Sequence, residues 1–171
     1  RSMAEYIGAQ RVLLVLDNCE QIISSTAALC RDLLIASPNL RVLATSRERL
    51  GVTGEALYRV PSLSLPDEDA TVEEAYGHDA VRLFAERAQL ASSEFALTVD
   101  NVEAVVSICR RLDGIPLALE LAAARTRSLS PAQILDRLDE RFRLLTAADR
   151  TAEGRQRTLL STIEWSHDLL G

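Results

Sequence analysis

An unbroken apolar stretch at residues 12–16 (Val-Leu-Leu-Val-Leu), introduced by Arg11, halts at the polar pair Asp17-Asn18. A short apolar run without alternation predicts a strand covered on both faces. The period then changes. Ile23, Ala27, Cys30 and Leu34 fall on one stripe of a helix, and Ser37-Pro38-Asn39 breaks it. A second strand is predicted over residues 41–45 and a third, shorter one over residues 57–60. Strand, helix, strand in this order implies a parallel pair joined by a right-handed crossover.

Residues 61–78 carry Pro61, Pro66 and the acids Asp67, Glu68, Asp69, Glu73 and Glu74, the pattern of an exposed linker. Beyond them the spacing is helical. Val81, Phe84, Ala85 and Ala88 line one face, and Asp100 with Glu103 predicts a capping box before Val102, Val105, Val106 and Cys109. That helix should stop at Asp113-Gly114, with Pro116 in the first turn of the next. Ser130-Pro131 with Gln133 opens another helix carrying Ile134 and Leu138, and a last one is predicted over about residues 157–170. The resulting division is an α/β segment (1–66), a linker (67–78), a helical domain (79–148) and the start of a further domain (149–171).

At 171 residues, 47% apolar and 26% charged, the chain can bury a core as one domain or two small ones. No apolar run reaches the roughly 18 residues of a membrane span, and no signal peptide opens the chain. A cytoplasmic location without membrane partners is therefore expected. Cys19, Cys30 and Cys109 are odd in number, widely spaced and set in apolar surroundings, which predicts buried thiols. A net charge of −6 argues against this segment gripping a nucleic-acid backbone. All 19 basic residues are arginine, which excludes lysine chemistry. His78 and His167 lie far apart without a nucleophile motif and read as a linker residue and a helix residue. Asp67, Glu68 and Asp69 read as a solvated face.

Three short motifs carry candidate chemistry. Asp17, at the carboxyl end of a parallel strand, stands where open α/β sheets bind ligands, although an Asp-Asn pair there also serves as a turn or cap. Thr45-Ser46-Arg47 ends the next strand and puts hydroxyls and a phosphate-compatible guanidinium on the same edge. Its plainer reading is a surface arginine. Gly114-Ile115-Pro116 makes a tight helix-to-helix corner whose apolar flanks could cover an adenine face, or is simple helix punctuation.

In this order the three resemble the STAND class of signal-transduction NTPases, in particular the NB-ARC-like module of bacterial LuxR- and antibiotic-regulator-type transcriptional regulators. Residues 13–18 resemble its Walker B strand, Thr45-Ser46-Arg47 its sensor and residues 114–118 its GxP motif. Residues 60–63 and 80–88 are similar as well, and residues 157–166 resemble the opening of a winged-helix domain. The resemblance implies a partial parallel P-loop NTPase sheet with flanking helices, then an all-α domain and the start of a winged helix. It implies ATP or ADP with Mg²⁺ in an intact parent, Asp17 on the magnesium, and Asn18, Thr45, Ser46, Arg47, Gly114 and Pro116 around the nucleotide. One departure is large. The phosphate loop of the form G-x-x-x-x-G-K-[S/T] is missing, since Gly8 is the sole glycine before Arg11 and no lysine exists. This segment alone is therefore expected to hold no nucleotide tightly. Asn18 stands where many ATPases carry a second acid, so the parent would be at most a slow ATPase. The implied function is a piece of an ATP/ADP-dependent switch, partnered by other domains of its parent, with DNA bound elsewhere. Unpaired sheet edges would also favour association with a second copy. The alternative is a nucleotide-free scaffold built on the same fold.

Overall fold

A computed structural model describes residues 3–146. The chain divides after Val60 into two compact units. The expected winged-helix segment (149–171) and His167 lie outside the described residues.

The first unit contains α1 (Met3–Ile7), β1 (Val12–Leu16), α2 (Ile23–Ala36) and β2 (Leu40–Ala44). β1 and β2 pair in parallel, in a register running from Val12 opposite Leu40 to Leu16 opposite Ala44. Side chains alternate across the pleat, so Val12, Leu14 and Val42 pack with Ile7, Leu33 and Leu40. Leu13, Val15 and Leu43 point the other way and remain 61%, 57% and 56% exposed. β1 is thus covered on one face, not on both as its apolar run suggests. Among the described residues no layer lies on the second face. The strand expected over residues 57–60 is not formed, and Leu57, Tyr58 and Val60 are exposed. Strand-like composition yields a strand only where a partner edge accepts its hydrogen bonds. In α2 the covered stripe is Thr26, Ala27, Cys30 and Leu33.

The second unit is helical: α3 (Val72–Tyr76), α4 (Asp79–Ala91), α5 (Val102–Arg111), α6 (Pro116–Ala123) and α7 (Pro131–Thr146). Its core joins Val81, Phe84 and Ala88 of α4 to Val105, Ile108 and Cys109 of α5, Leu119 and Ala122 of α6, and Ile134 and Leu138 of α7. Phe84 meets Phe95 edge to face at 6.2 Å between ring centres. All three cysteines are buried free thiols. Burial pushes the Cys109 thiol up to about 12, leaving it an inert apolar filler.

Residues 67–78 are largely exposed, their five acids included, but they belong to the second unit and do not link the two. Ala75 is fully buried, Glu68 pairs with Arg110 at 3.2 Å, and Arg110 also donates to the Pro66 carbonyl at 3.0 Å. The acids that suggest solvation are partly spent on local structure. Thr71 and Glu74 form a capping box at the start of α3, the Glu74 carboxylate accepting from the Thr71 backbone N–H at 2.9 Å. The box expected from Asp100 and Glu103 is not made. Asn101 takes the N-cap position of α5, and its amide group bridges the preceding loop, accepting from Thr98 N–H and donating to the Ala96 carbonyl. Ser130 and Gln133 do cap α7 reciprocally, at 3.3 and 2.9 Å.

The corner between α5 and α6 has a definite cause for its glycine. Asp113 and Gly114 both take positive φ, 53° and 62°. The Gly114 carbonyl accepts from Leu63 N–H at 3.0 Å, and a Cβ on Gly114 would stand 2.5 Å from the Leu63 carbonyl oxygen. Pro116 then opens α6, its fixed φ suiting the first turn.

Two outcomes follow for this unit. Gly114→Ala should destabilise it by about 2–5 kcal/mol, combining about 1–2 for the left-handed backbone and about 1–3 for crowding. Gly54→Ala, in the first unit at φ 82° with no atom within 4 Å of the added carbon, should cost that unit the conformational part alone. Urea denaturation followed by far-UV circular dichroism measures both. The second outcome concerns pH. The Thr71 backbone N–H, and then its hydroxyl, hold the Glu74 carboxyl below the usual carboxylate range. A depressed folded-state value means the stabilisation is present above that range and lost as pH falls through the depressed value. Wild type should therefore exceed Glu74→Gln in thermal stability at neutral pH, and the gap should close on acidification.

Candidate functional site

β1 ends at Leu16, and the chain turns sharply through Asn18, which is left-handed at φ 61° and ψ 47°. Asparagine is among the few residues that tolerate this region. A 3₁₀ turn, Cys19–Gln21, follows. β2 ends alongside it, and two backbone bonds lock the ends together: Thr45 N–H to the Leu16 carbonyl at 2.9 Å and Cys19 N–H to the Thr45 carbonyl at 3.0 Å. Cys19 is buried beneath this junction, its Sγ 3.6 Å from the Leu16 carbonyl.

Side chains converge on the junction. The Thr45 hydroxyl donates to Asp17 Oδ1 and accepts from Asn18 N–H at 3.0 Å. Arg47 Nε lies 3.4 Å from Glu20 Oε1, with the Arg47 side chain 78% exposed and that of Glu20 18% exposed. Ser46 Oγ accepts from Glu48 N–H at 3.3 Å. Asp17, Asn18, Glu20, Thr45, Ser46 and Arg47 line one open groove of about 550 Å³. Five residues singled out from the sequence, Asp17, Asn18, Thr45, Ser46 and Arg47, are thus brought together. Gly114 and Pro116 belong to the second unit, where they build the α5–α6 corner. His78 occupies the N-cap position of α4 without a capping side-chain bond.

Sequence reasoning passes over Glu20. No local pattern marks it, since only the Cys19–Gln21 turn brings it beside Arg47. With Glu20 included, two carboxylates and one guanidinium face the groove.

Among the described residues no group of three or more His, Cys, Asp or Glu side chains forms a metal cage. That donor set still fits magnesium held with a phosphorylated ligand, since Mg²⁺ keeps several waters and needs only one or two carboxylates beside the phosphates. Asp17 is the residue that would hold it. The Thr45 hydroxyl fixes the Asp17 carboxylate and satisfies the turn at once, so Thr45→Val should loosen both. Amide exchange at Asn18 should speed by about two- to tenfold, the equivalent of one lost hydrogen bond, while Thr45→Ser should retain wild-type protection. Hydrogen exchange read by NMR decides this.

No protein-family profile matches the chain. No solved structure matches it either. Curated relatives are nevertheless similar over almost all of it. A Mycobacterium tuberculosis H37Rv protein, provisionally named an HTH-type transcriptional regulator, is 51% identical over 169 residues, covering 99% of this chain and 18% of the relative. Its counterpart in Mycobacterium bovis, under the same provisional name, matches equally. An uncharacterized Mycobacterium tuberculosis protein is 47% identical over 164 residues, covering 96% of this chain and 39% of that protein. The chain therefore spans about a fifth of the length of the regulators it resembles.

Proposed function

We propose that this segment is part of a nucleotide-dependent switch in a bacterial transcriptional regulator, with ATP or ADP setting how its domains are arranged. The observation that carries the reading is the convergence of Asp17, Thr45 and Arg47 in one groove at the carboxyl edge of two parallel strands. Ligands of open α/β sheets bind at that edge. The regulator names of the longer relatives support the regulatory half. The resemblance of these motifs to STAND-type NTPases supplies the nucleotide half.

On this reading Asp17 holds magnesium and Thr45 keeps its carboxylate in one rotamer. Magnesium, when bound, would offset the charge of the β- and γ-phosphates. Arg47 reads the terminal phosphate through its planar fork. The Gly114 corner needs no ligand to account for it, since backbone packing against Leu63 explains the glycine. DNA contact falls to another domain, in keeping with the net charge of −6 here. No helix among the described residues is long and apolar enough to cross a membrane. A nucleotide-free scaffold is the second reading. It is favoured by the internal pairing of Thr45 with Asp17 and of Arg47 with Glu20, which gives each of these groups a partner without a ligand.

ATP and ADP titrations of the full-length protein separate the two. Arg47→Ala should weaken ATP by about tenfold to a hundredfold and leave ADP nearly unchanged, because only ATP carries the group a charged donor would meet. Asp17→Ala should abolish the magnesium dependence of binding. Equal losses for both nucleotides would remove Arg47 as a sensor. Failure of the wild type to bind either nucleotide would favour the scaffold.

A further inference from the structure

The ion pair between Arg47 and Glu20 is unequal in its anchoring. Glu20 sits on the 3₁₀ turn Cys19–Gln21, which is fastened to the end of β2 by Cys19 N–H on the Thr45 carbonyl and closed by Ile22 N–H on the Cys19 carbonyl at 3.1 Å. Its side chain is largely covered, at 18% exposure. Arg47 lies beyond the end of β2, and its side chain is 78% exposed. A long exposed arginine samples many rotamers and loses about 2 kcal/mol of freedom when fixed. The largely covered carboxylate comes nearest it at Nε, the inner nitrogen of the guanidinium, as an ion pair at 3.4 Å. The two terminal nitrogens form the edge that matches a phosphate bidentately, and the nearest approach of the carboxylate is at Nε, away from that edge.

We propose that Glu20 is a positioning residue for Arg47, holding the guanidinium by Nε so that its terminal edge serves the last phosphate of a nucleoside triphosphate. The proposal rests on the nucleotide reading above and adds a determinant of triphosphate over diphosphate preference. Glu20 acts only through Arg47, so its effect belongs to the ligand that Arg47 distinguishes. Because the pair is largely exposed on the arginine side, its effect is small and screened by salt.

Full-length protein titrated with Mg-ATP and Mg-ADP tests this in four forms: wild type, Glu20→Gln, Arg47→Ala and the double variant. Glu20→Gln should weaken ATP about two- to fivefold and leave ADP unchanged, as expected for an exposed pair. The effect should fade in high salt and vanish in the Arg47→Ala background, where nothing remains to position. Tighter ATP binding by Glu20→Gln would overturn the proposal, showing a carboxylate that competes with the phosphate. Equal loss of ATP and ADP would overturn it too, showing a turn that merely shapes the groove. If Arg47→Ala selectively weakens ATP while Glu20→Gln is silent, the inference falls and the nucleotide reading stands. If Arg47→Ala leaves the ATP-to-ADP ratio unchanged, the sensor assignment falls and this inference with it.

Discussion

Leu16 lies opposite Ala44 in the parallel register, and the groove depends on that pairing. It brings the two strand ends level, so the residues that follow each strand leave from the same edge. Thr45 then bonds back to Leu16, and Cys19 to Thr45, extending the ladder into the turns. A slip of one residue would send Thr45 to the opposite face and separate its hydroxyl from Asp17. The apolar face of Val12, Leu14 and Val42 against Leu33 holds the register, so the core of this small unit and the geometry of its groove are one constraint. The other face, with Leu13, Val15 and Leu43, is where a parallel sheet ordinarily carries a second layer.

The helical unit has its own fixed point. Leu63 and Gly114 approach so closely that only a residue without a side chain fits, and the corner between α5 and α6 is thereby tied to the segment after Pro61. Ser64 reinforces the tie, accepting from Asp79 N–H at 2.8 Å through its hydroxyl and from Ala80 N–H at 3.2 Å through its carbonyl. Residues 61–66 therefore serve as part of the helical unit's structure. A glycine that reads as a ligand motif from the sequence is explained here by backbone clearance.

Elements with strong periodicity were legible, and so was the meeting of Asp17 with Thr45, because each ends a strand and adjacent parallel strands end on one edge. What escaped depends on pairings between residues that no local pattern reveals. The stretch 57–60 has strand composition but meets no strand edge. The acids of 67–78 are exposed as their composition suggests, but nothing local shows that Glu74 also caps α3 or that Glu68 meets Arg110. Asp100 and Glu103 have the spacing of a capping box, yet Asn101 makes more bonds one position later. Glu20 needed the 3₁₀ turn, since only that turn places it beside Arg47.

The groove's polar groups answer one another, and this bears on what a ligand must do there. Thr45 spends its one proton on Asp17 and a lone pair on Asn18, so neither side of its hydroxyl is idle. Asp17 retains acceptor capacity, because a carboxylate offers about four lone-pair sites and the threonine fills one. Arg47 retains donors, because a guanidinium has five N–H bonds and Glu20 comes nearest at Nε. The unused capacity is therefore of two kinds: acceptors at Asp17, which suit a cation, and donors at Arg47, which suit an anion. A phosphate group accompanied by a divalent cation carries both complements in one body. A purely cationic or purely anionic ligand would engage only one end of the groove and meet like charge at the other.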